Sequence, residues 1–86
     1  MIWEINKTKP FLKDLKKHRK NNQLLKELKK AIERLEEDPK FGGTLSGNLY
    51  GKRSTRLTKK IRLIFKIEDK EKTVFLIALD HRESIY

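Results

Sequence analysis

The last third of the chain contains two strand-like segments joined by only five residues, and this feature most constrains the fold. Residues 61–67 (IRLIFKI) place apolar side chains at alternate positions, and residues 73–79 (TVFLIAL) form an almost continuous apolar run. The first pattern is typical of a strand with one face in solvent, and the second of a strand buried on both faces. Because residues 68–72 (EDKEK) are too few for a crossover connection, the two strands are expected to pair in antiparallel fashion.

A third strand is expected just before this pair. Residues 45–51 (LSGNLYG) are punctuated by glycine, as turns are. Residues 52–57 (KRSTRL) follow as a short basic segment with polar side chains at alternate positions. The three strands would form an antiparallel meander. The open face of this meander would carry alternate side chains of its first two strands, namely Ser54, Arg56, Thr58, Arg62, Ile64 and Lys66.

The first half of the chain predicts a short strand and two helices. Residues 1–6 alternate as a strand does. Thr8 is a suitable N-cap for the first helix and Pro10 falls in its first turn, where proline is tolerated; the helix is expected to end near residues 21–22. The second helix has an apolar stripe of period 3.6 and ends at Asp38, which precedes a proline. The stripe consists of Leu24, Leu25, Leu28, Ala31, Ile32 and Leu35.

The predicted element order is β-α-α-β-β-β, with residues 41–43 as a loop between the halves. This order favours an α+β domain spanning residues 1–86, in which two N-terminal helices pack on one face of a small, mainly antiparallel sheet. Eighty-six residues support a single small core. The opposite face of the sheet would remain open.

The charge balance predicts an anionic partner. The chain has 22 Lys and Arg against 12 Asp and Glu, a formal net charge of +10. Such an excess favours binding to nucleic acid, an acidic protein or a membrane surface. A surface merely rich in Lys and Glu is the alternative, but it would not require a net excess. There is no cysteine, which excludes disulfides and thiolate metal sites. No apolar run is long enough to span a bilayer, and the N-terminus lacks a signal-peptide pattern, so a soluble cytoplasmic protein is expected.

Few residues offer ordinary catalytic or metal chemistry. His18 and His81 are the only histidines, and their spacing suggests no shared metal; His18 is interpreted as a solvated helix residue. A phosphate-binding glycine loop is missing. Asp80, His81 and Ser84 are too close in sequence to form a catalytic triad. No cofactor and no metal are therefore expected.

Arginines and a terminal tyrosine remain as candidates. The guanidinium group presents a fixed fork of donors suited to phosphate, and several such groups on strands would neutralise charge on a pentacoordinate phosphorus. Nearby positive charge lowers the pKa of a tyrosine hydroxyl, which would let Tyr86 act as a general base on a ribose 2′-hydroxyl. From the residues alone, the alternative stays open that Arg62 and Arg82 are ordinary surface charges and Tyr86 a frayed terminal residue.

Several motifs of this chain resemble the RelE/ParE superfamily of type II toxin–antitoxin toxins, and within it the RelE and YoeB branch of messenger-RNA interferases. The resemblance covers nearly the whole chain. Its C-terminal motifs are Leu45-x-Gly47-x-Leu49-x-Gly51, Ser54-x-Arg56-Leu57, Ile61-Arg62-Leu63-Ile64-Phe65 and His81-Arg82-Glu83-Ser84-Ile85-Tyr86; its N-terminal motifs are Trp3-Glu4-Ile5, Phe11-x-Lys13-Asp14-Leu15 and Asp38-Pro39.

The resemblance implies a metal-independent endoribonuclease that cuts messenger RNA in the ribosomal A site and leaves a 2′,3′-cyclic phosphate. It implies that Arg62 contacts the scissile phosphate, Arg82 the leaving 5′-oxygen, and Tyr86 the attacking hydroxyl. Arg56 would support the transition state. Further RNA contacts are expected from Lys52, Arg53, Lys59, Lys60 and His81.

The resemblance also implies a partner, a RelB-like acidic antitoxin that covers the basic domain. The chain has Gly43-Thr44 and Ile85 where YoeB-like members have a Glu and a His, so the arginine-rich RelE-like chemistry is the version expected. The alternative is a ParE-like or catalytically degenerate toxin. ParE members share the fold, act on DNA gyrase and generally lack the arginine–tyrosine set.

Overall fold

The computed structural model describes residues 2–38, 43–44 and 52–81. Within them the strands form one sheet of order β1-β5-β4-β3-β2, in which β1 is parallel to β5 and the other pairs are antiparallel. The predicted α+β class and the antiparallel meander of the last three strands are confirmed. The elements are β1 (Glu4–Lys7), α1 (Lys9–Lys17), α2 (Asn22–Glu37), β2 (Gly43–Thr44), β3 (Lys52–Arg56), β4 (Ile61–Glu68) and β5 (Thr73–His81).

Side-chain caps fix where each helix begins. Thr8 is the N-cap of α1: its hydroxyl accepts from the amide of Phe11 at 3.4 Å and donates to the carbonyl of Leu76 at 2.6 Å. Asn21 caps α2 by accepting from the amide of Leu24 at 3.1 Å. α1 ends at Lys17 with His18 as its C-cap, earlier than the expected end near residues 21–22. Residues 18–20 form a turn in which the Asn21 amide donates to the His18 carbonyl at 2.9 Å, and this turn brings Asn21 to its non-helical capping position.

The core lies between the two helices and one face of the sheet. The helices contribute Phe11 and the predicted stripe of α2, whose Leu24, Leu28, Ala31 and Leu35 are buried while its outer members are only half-buried. The sheet contributes side chains from its central strands. The largest fully buried ones are Leu63, Phe65, Val74 and Leu76. Burial of each such side chain contributes about 1.5–3 kcal/mol to folding.

Two expectations about the strands were wrong in detail. β5 was expected to be buried on both faces, but Phe75, Ile77 and Ala78 are only half-buried, whereas Val74 is fully buried. Among the described elements both helices cover the same face, so the apolar run in β5 reflects its central place in the sheet. Gly43, assigned to a loop, begins the two-residue strand β2, which pairs with β3.

Candidate functional site

The face of the sheet turned away from the helices carries two of the predicted arginines, Arg56 and Arg62. Side chains alternate along a strand, and on β4 the residues Ile61, Leu63 and Phe65 belong to the core. The residues between them therefore lie on the opposite face, together with their register partners on the neighbouring strands. We call this surface the arginine face; its members are Lys52, Ser54 and Arg56 of β3, Arg62, Ile64 and Lys66 of β4, and Phe75, Ala78 and Asp80 of β5.

Two arginines lie directly opposite each other on this face. Arg56 and Arg62 are register partners across β3 and β4, an arrangement that places the Cβ atoms of such partners about 4.5–5.5 Å apart. Arg56 is exposed and Arg62 half-buried. Like charges in this position destabilise a sheet, and a bound anion would relieve the repulsion. Two guanidinium groups on rigid strands thus form a suitable site for a phosphate group.

A β-bulge sets what lies on the other side of Arg62. The pairing of β4 with β5 shifts between Ile64 and Phe65, so that Ile77 of β5 has no register partner. With an unshifted register Arg62 would oppose Leu79, but the extra residue places it opposite Asp80. Arginine, arginine and aspartate therefore form a row across three strands. Asp80 was missed as a site residue, because only the position of the bulge reveals it as a neighbour of Arg62.

The turn between β3 and β4 displays two further cations. The hydroxyl of Thr58 accepts from the amide of Lys60 at 3.3 Å and from that of Ile61 at 3.1 Å, and the Leu57 amide donates to the Ile61 carbonyl at 2.9 Å. These bonds fix the turn, and Lys59 and Lys60 are exposed on it. A groove connects this turn to the start of α2; it is lined by Asn21, Gln23, Thr58, Lys59, Lys60 and Ile61.

The remaining predicted site residues are distributed unevenly. Lys52 lies on the arginine face opposite Lys66, at the far end of β3 from Arg56. Arg53 is the register partner of the buried Phe65 and therefore lies on the helix side of the sheet, away from the arginine pair. The backbone of His81 ends β5 opposite Ile61. Arg82 and Tyr86 lie outside the described residues.

A second basic surface lies on the helix layer. A groove along the end of α1 and the turn that follows is lined by Lys13, Lys16, Lys17, Arg19 and Lys20; we call it the α1 groove. The only acidic residue of α1 is Asp14, whose carboxylate accepts from the backbone amide of Leu79 at 3.1 Å. Among the described residues, the walls of the groove are thus cationic and include no apolar side chain that would anchor a protein partner.

The described part of the chain contains no cluster of three His, Cys, Asp or Glu side chains that would hold a metal ion. In the same part of the chain, neither helix has the length and apolar character needed to cross a membrane.

Comparison with known proteins places these features in a family. A family model described as the ParE toxin of type II toxin-antitoxin system, parDE, matches residues 5–86. A search among proteins of curated function gave no match. Among solved structures, a metal-bound toxin from Helicobacter pylori is 31% identical, with a TM-score of 0.82 and coverage of 99% of this chain and 100% of that one.

Two toxin–antitoxin complexes are also similar. The RelBE2 complex from Mycobacterium tuberculosis matches at 28% identity and a TM-score of 0.79, covering 95% of this chain and 100% of that one. The DinJ-YafQ complex of E. coli matches at 18% identity and a TM-score of 0.77, covering 100% of this chain and 99% of that one. At that identity the likeness concerns the fold alone.

Proposed function

The chain belongs to the family of ParE toxins of type II toxin–antitoxin systems, and we propose that this toxin is an endoribonuclease that cuts messenger RNA on the ribosome. The observation that carries the proposal is the cross-strand pair of Arg56 and Arg62. Two guanidinium groups in register on adjacent strands match the geometry of a phosphate group and would neutralise the charge that develops on a phosphorane.

The pair suits phosphoryl chemistry because it is built on strands rather than on a loop. Catalytic groups act best when their backbone does not have to reorganise as charge develops in the transition state. Arg56 and Arg62 are held by the register of β3 and β4, and Asp80 stands beside Arg62 in the same row. Each arginine keeps its charge throughout the reaction, since guanidinium does not deprotonate in proteins.

The proposed reaction is an internal transesterification. Tyr86 removes the proton of the ribose 2′-hydroxyl, and the 2′-oxygen attacks the scissile phosphorus, which Arg62 holds. Arg56 stabilises the added charge, and the bond from phosphorus to the 5′-oxygen breaks while the Arg82 guanidinium hydrogen-bonds to that oxygen. The departing 5′-oxygen takes its proton from water, and the proton that Tyr86 removed returns to solvent. The products are a 2′,3′-cyclic phosphate and a free 5′-hydroxyl, and no step requires a metal ion. Lys52, Lys59, Lys60 and His81 are assigned to contacts with the RNA backbone, whereas Arg53, on the helix side of the sheet, is not.

The same proposal includes an acidic antitoxin as the cytoplasmic partner. A net charge of +10 on 86 residues favours association with an acidic chain. Similar toxins have been solved as toxin–antitoxin complexes, RelBE2 among them. An antitoxin that covers the arginine face would compete directly with RNA, because both would be attracted by the same charges.

The proposal is tested by primer extension on messenger RNA bound to ribosomes. Purified toxin should produce cuts in phase with codons, and prior addition of the antitoxin should abolish them. Arg62→Ala should produce none within the same time. The proposal would be overturned if wild-type toxin arrested growth and induced a DNA-damage response without cutting RNA, which is the behaviour expected of a ParE-type toxin.

A further inference from the structure

A single carboxylate links helix α1 to the strand that borders the arginine pair. Asp14 is half-buried, and its Oδ2 atom accepts from the backbone amide of Leu79 at 3.1 Å, across 65 positions of sequence. Aspartate has a low helix propensity and gains nothing from the helix dipole in the C-terminal half of α1. Its presence among lysines therefore indicates a tertiary role.

Asp14 accepts a β5 amide that lies beyond the last pair of β1 with β5. Among the described residues, β1 pairs with β5 only as far as Lys7 and Leu76. Beyond that point α1 supplies the partners: the Thr8 amide and hydroxyl both donate to the Leu76 carbonyl, at 3.2 and 2.6 Å, and Asp14 receives the Leu79 amide. A carboxylate accepts a backbone amide more strongly than a neutral group does.

These two contacts bracket the β-bulge. Ile77, the residue without a register partner, lies between Leu76 and Leu79, so the chain is held on either side of the extra residue. Without the bulge, β5 would slip by one position beyond Leu76, which would bring Leu79 to the arginine face and turn Asp80 toward the core. The bond from Asp14 therefore favours the register in which Asp80 opposes Arg62.

We propose that Asp14 is a positioning residue for the candidate site: its bond to the Leu79 amide holds the bulged β4–β5 register that places Asp80 opposite Arg62 of the arginine pair. Asp14 acts through the backbone of β5 and does not touch RNA. The consequence for catalysis rests on the proposed function, whereas the consequence for the register does not. β-Bulges are common beside active sites, where they re-aim side chains.

The test compares Asp14→Ala and Asp14→Asn with Glu33→Ala, an exposed residue of α2 whose replacement changes the net charge by the same amount. Hydrogen exchange measured by NMR should accelerate at least about tenfold at Leu79 in Asp14→Ala, as expected for loss of a bond to a charged group. The Phe65 amide should be unchanged. Backbone NOE contacts between Arg62 and Asp80 should weaken.

Cleavage by Asp14→Ala on programmed ribosomes should be up to about fivefold slower at saturating toxin, the loss expected when Asp80 no longer pairs with Arg62, with the affinity for ribosomes unchanged. Asp14→Asn keeps a neutral acceptor and should fall between Asp14→Ala and wild type in every measurement; it also serves if Asp14→Ala fails to fold. Glu33→Ala should match wild type throughout.

Three outcomes would overturn the proposal. Wild-type exchange at Leu79 in Asp14→Ala would mean that the bond does not protect the strand. Intact NOE contacts between Arg62 and Asp80 would mean that Asp14 does not set the register. Faster exchange with undiminished cleavage would mean that the register does not matter to the site. If wild-type toxin cuts nothing, the proposed function fails, and the exchange and NOE measurements still decide the role of Asp14.

Discussion

The α1 groove and the arginine pair are both cationic, but they are built differently. The groove collects five cations from one helix and the turn after it, and their long side chains have no register with one another. The arginine pair has two cations on adjacent strands in direct register, with Asp80 next in the row. Charge density alone attracts a polyanion; fixed register is what allows individual groups to meet a chosen phosphate.

The two regions also differ in their effect on the stability of the fold. Lys16 and Lys17 occupy the last turn of α1, where cations interact favourably with the helix dipole by about 0.3–1 kcal/mol each. Arg56 and Arg62 repel each other across the sheet, which costs up to about 1 kcal/mol. Asp80 offsets part of this repulsion on the Arg62 side, but the position of Arg56 opposite Arg62 has no stabilising role of the kind that the groove lysines have. This contrast is why we assign chemistry to the pair and only attraction to the groove.

The largest difference should appear when Arg62 is replaced. Arg62→Ala should slow single-turnover cleavage by roughly 10²–10³, as loss of one transition-state donor does, while ribosome binding stays nearly intact because many other cations share the contact. Arg62→Lys keeps the positive charge but loses the planar pair of donors of the guanidinium group, and should recover only part of the cleavage rate. The measurement uses programmed ribosomes with saturating toxin, beside a separate binding assay. Lys16→Ala is the matched control from the groove; an equal loss of rate there would contradict the distinction.

The groove should govern affinity rather than rate. The triple replacement of Lys13, Lys16 and Lys17 by alanine should lower the slope of log affinity against log salt by about 2–3, if each lysine contacts one phosphate. The single-turnover rate at saturation should not change. Binding measured between low and physiological salt checks this directly. A salt slope equal to that of wild type would show that the groove does not face RNA on the ribosome.

Much of the fold follows from local patterns. The stripe of α2 was predicted because an amphipathic helix repeats every 3.6 residues whatever it packs against, and four of its six members are buried. The β4–β5 hairpin was predicted because its connection is too short for a crossover. Arg56 and Arg62 were expected on one face because each belongs to the alternate positions of its strand that were assigned to the open side of the sheet.

Non-local contacts could not be predicted in the same way. Neither the parallel pairing of β1 with β5 nor the bulge at Ile77 leaves a periodic signal in the sequence. The roles of Asp80 and Asp14 depend on that bulge, so both were missed. Arg53 was grouped with the other cations of its segment, although strand alternation places it on the helix side of the sheet. The register between strands has to be known before the cross-strand neighbours of a residue can be identified.

A smaller effect is expected at Asp80. Asp80→Asn removes the negative charge beside Arg62 and should slow cleavage by up to about fivefold, because opposite charges paired across strands contribute about 0.2–1 kcal/mol. The free energy of unfolding should fall by a similar amount in urea titrations. Asp69→Asn, in the exposed turn after β4, is the control and should leave the cleavage rate unchanged. If Asp80→Asn cleaved at the wild-type rate, the charge of Asp80 would have no role in cleavage.

The smallest expected effect is a gain in stability, whereas Asp80→Asn should lower the free energy of unfolding. Arg56→Thr should raise the free energy of unfolding by about 0.2–1 kcal/mol, because it ends the like-charge contact with Arg62 and places a β-branched residue in a strand. The same variant should cleave more slowly, since it lacks one of the two proposed phosphate donors. Lys17→Ala in the groove should not be stabilised, because it loses a favourable contact with the helix dipole. Urea unfolding at low ionic strength measures both variants, and 1 M salt should shrink the gain in Arg56→Thr by screening the repulsion. A more stable Arg56→Thr that also cut at the wild-type rate would mean that the repulsion between the two arginines serves no catalytic purpose.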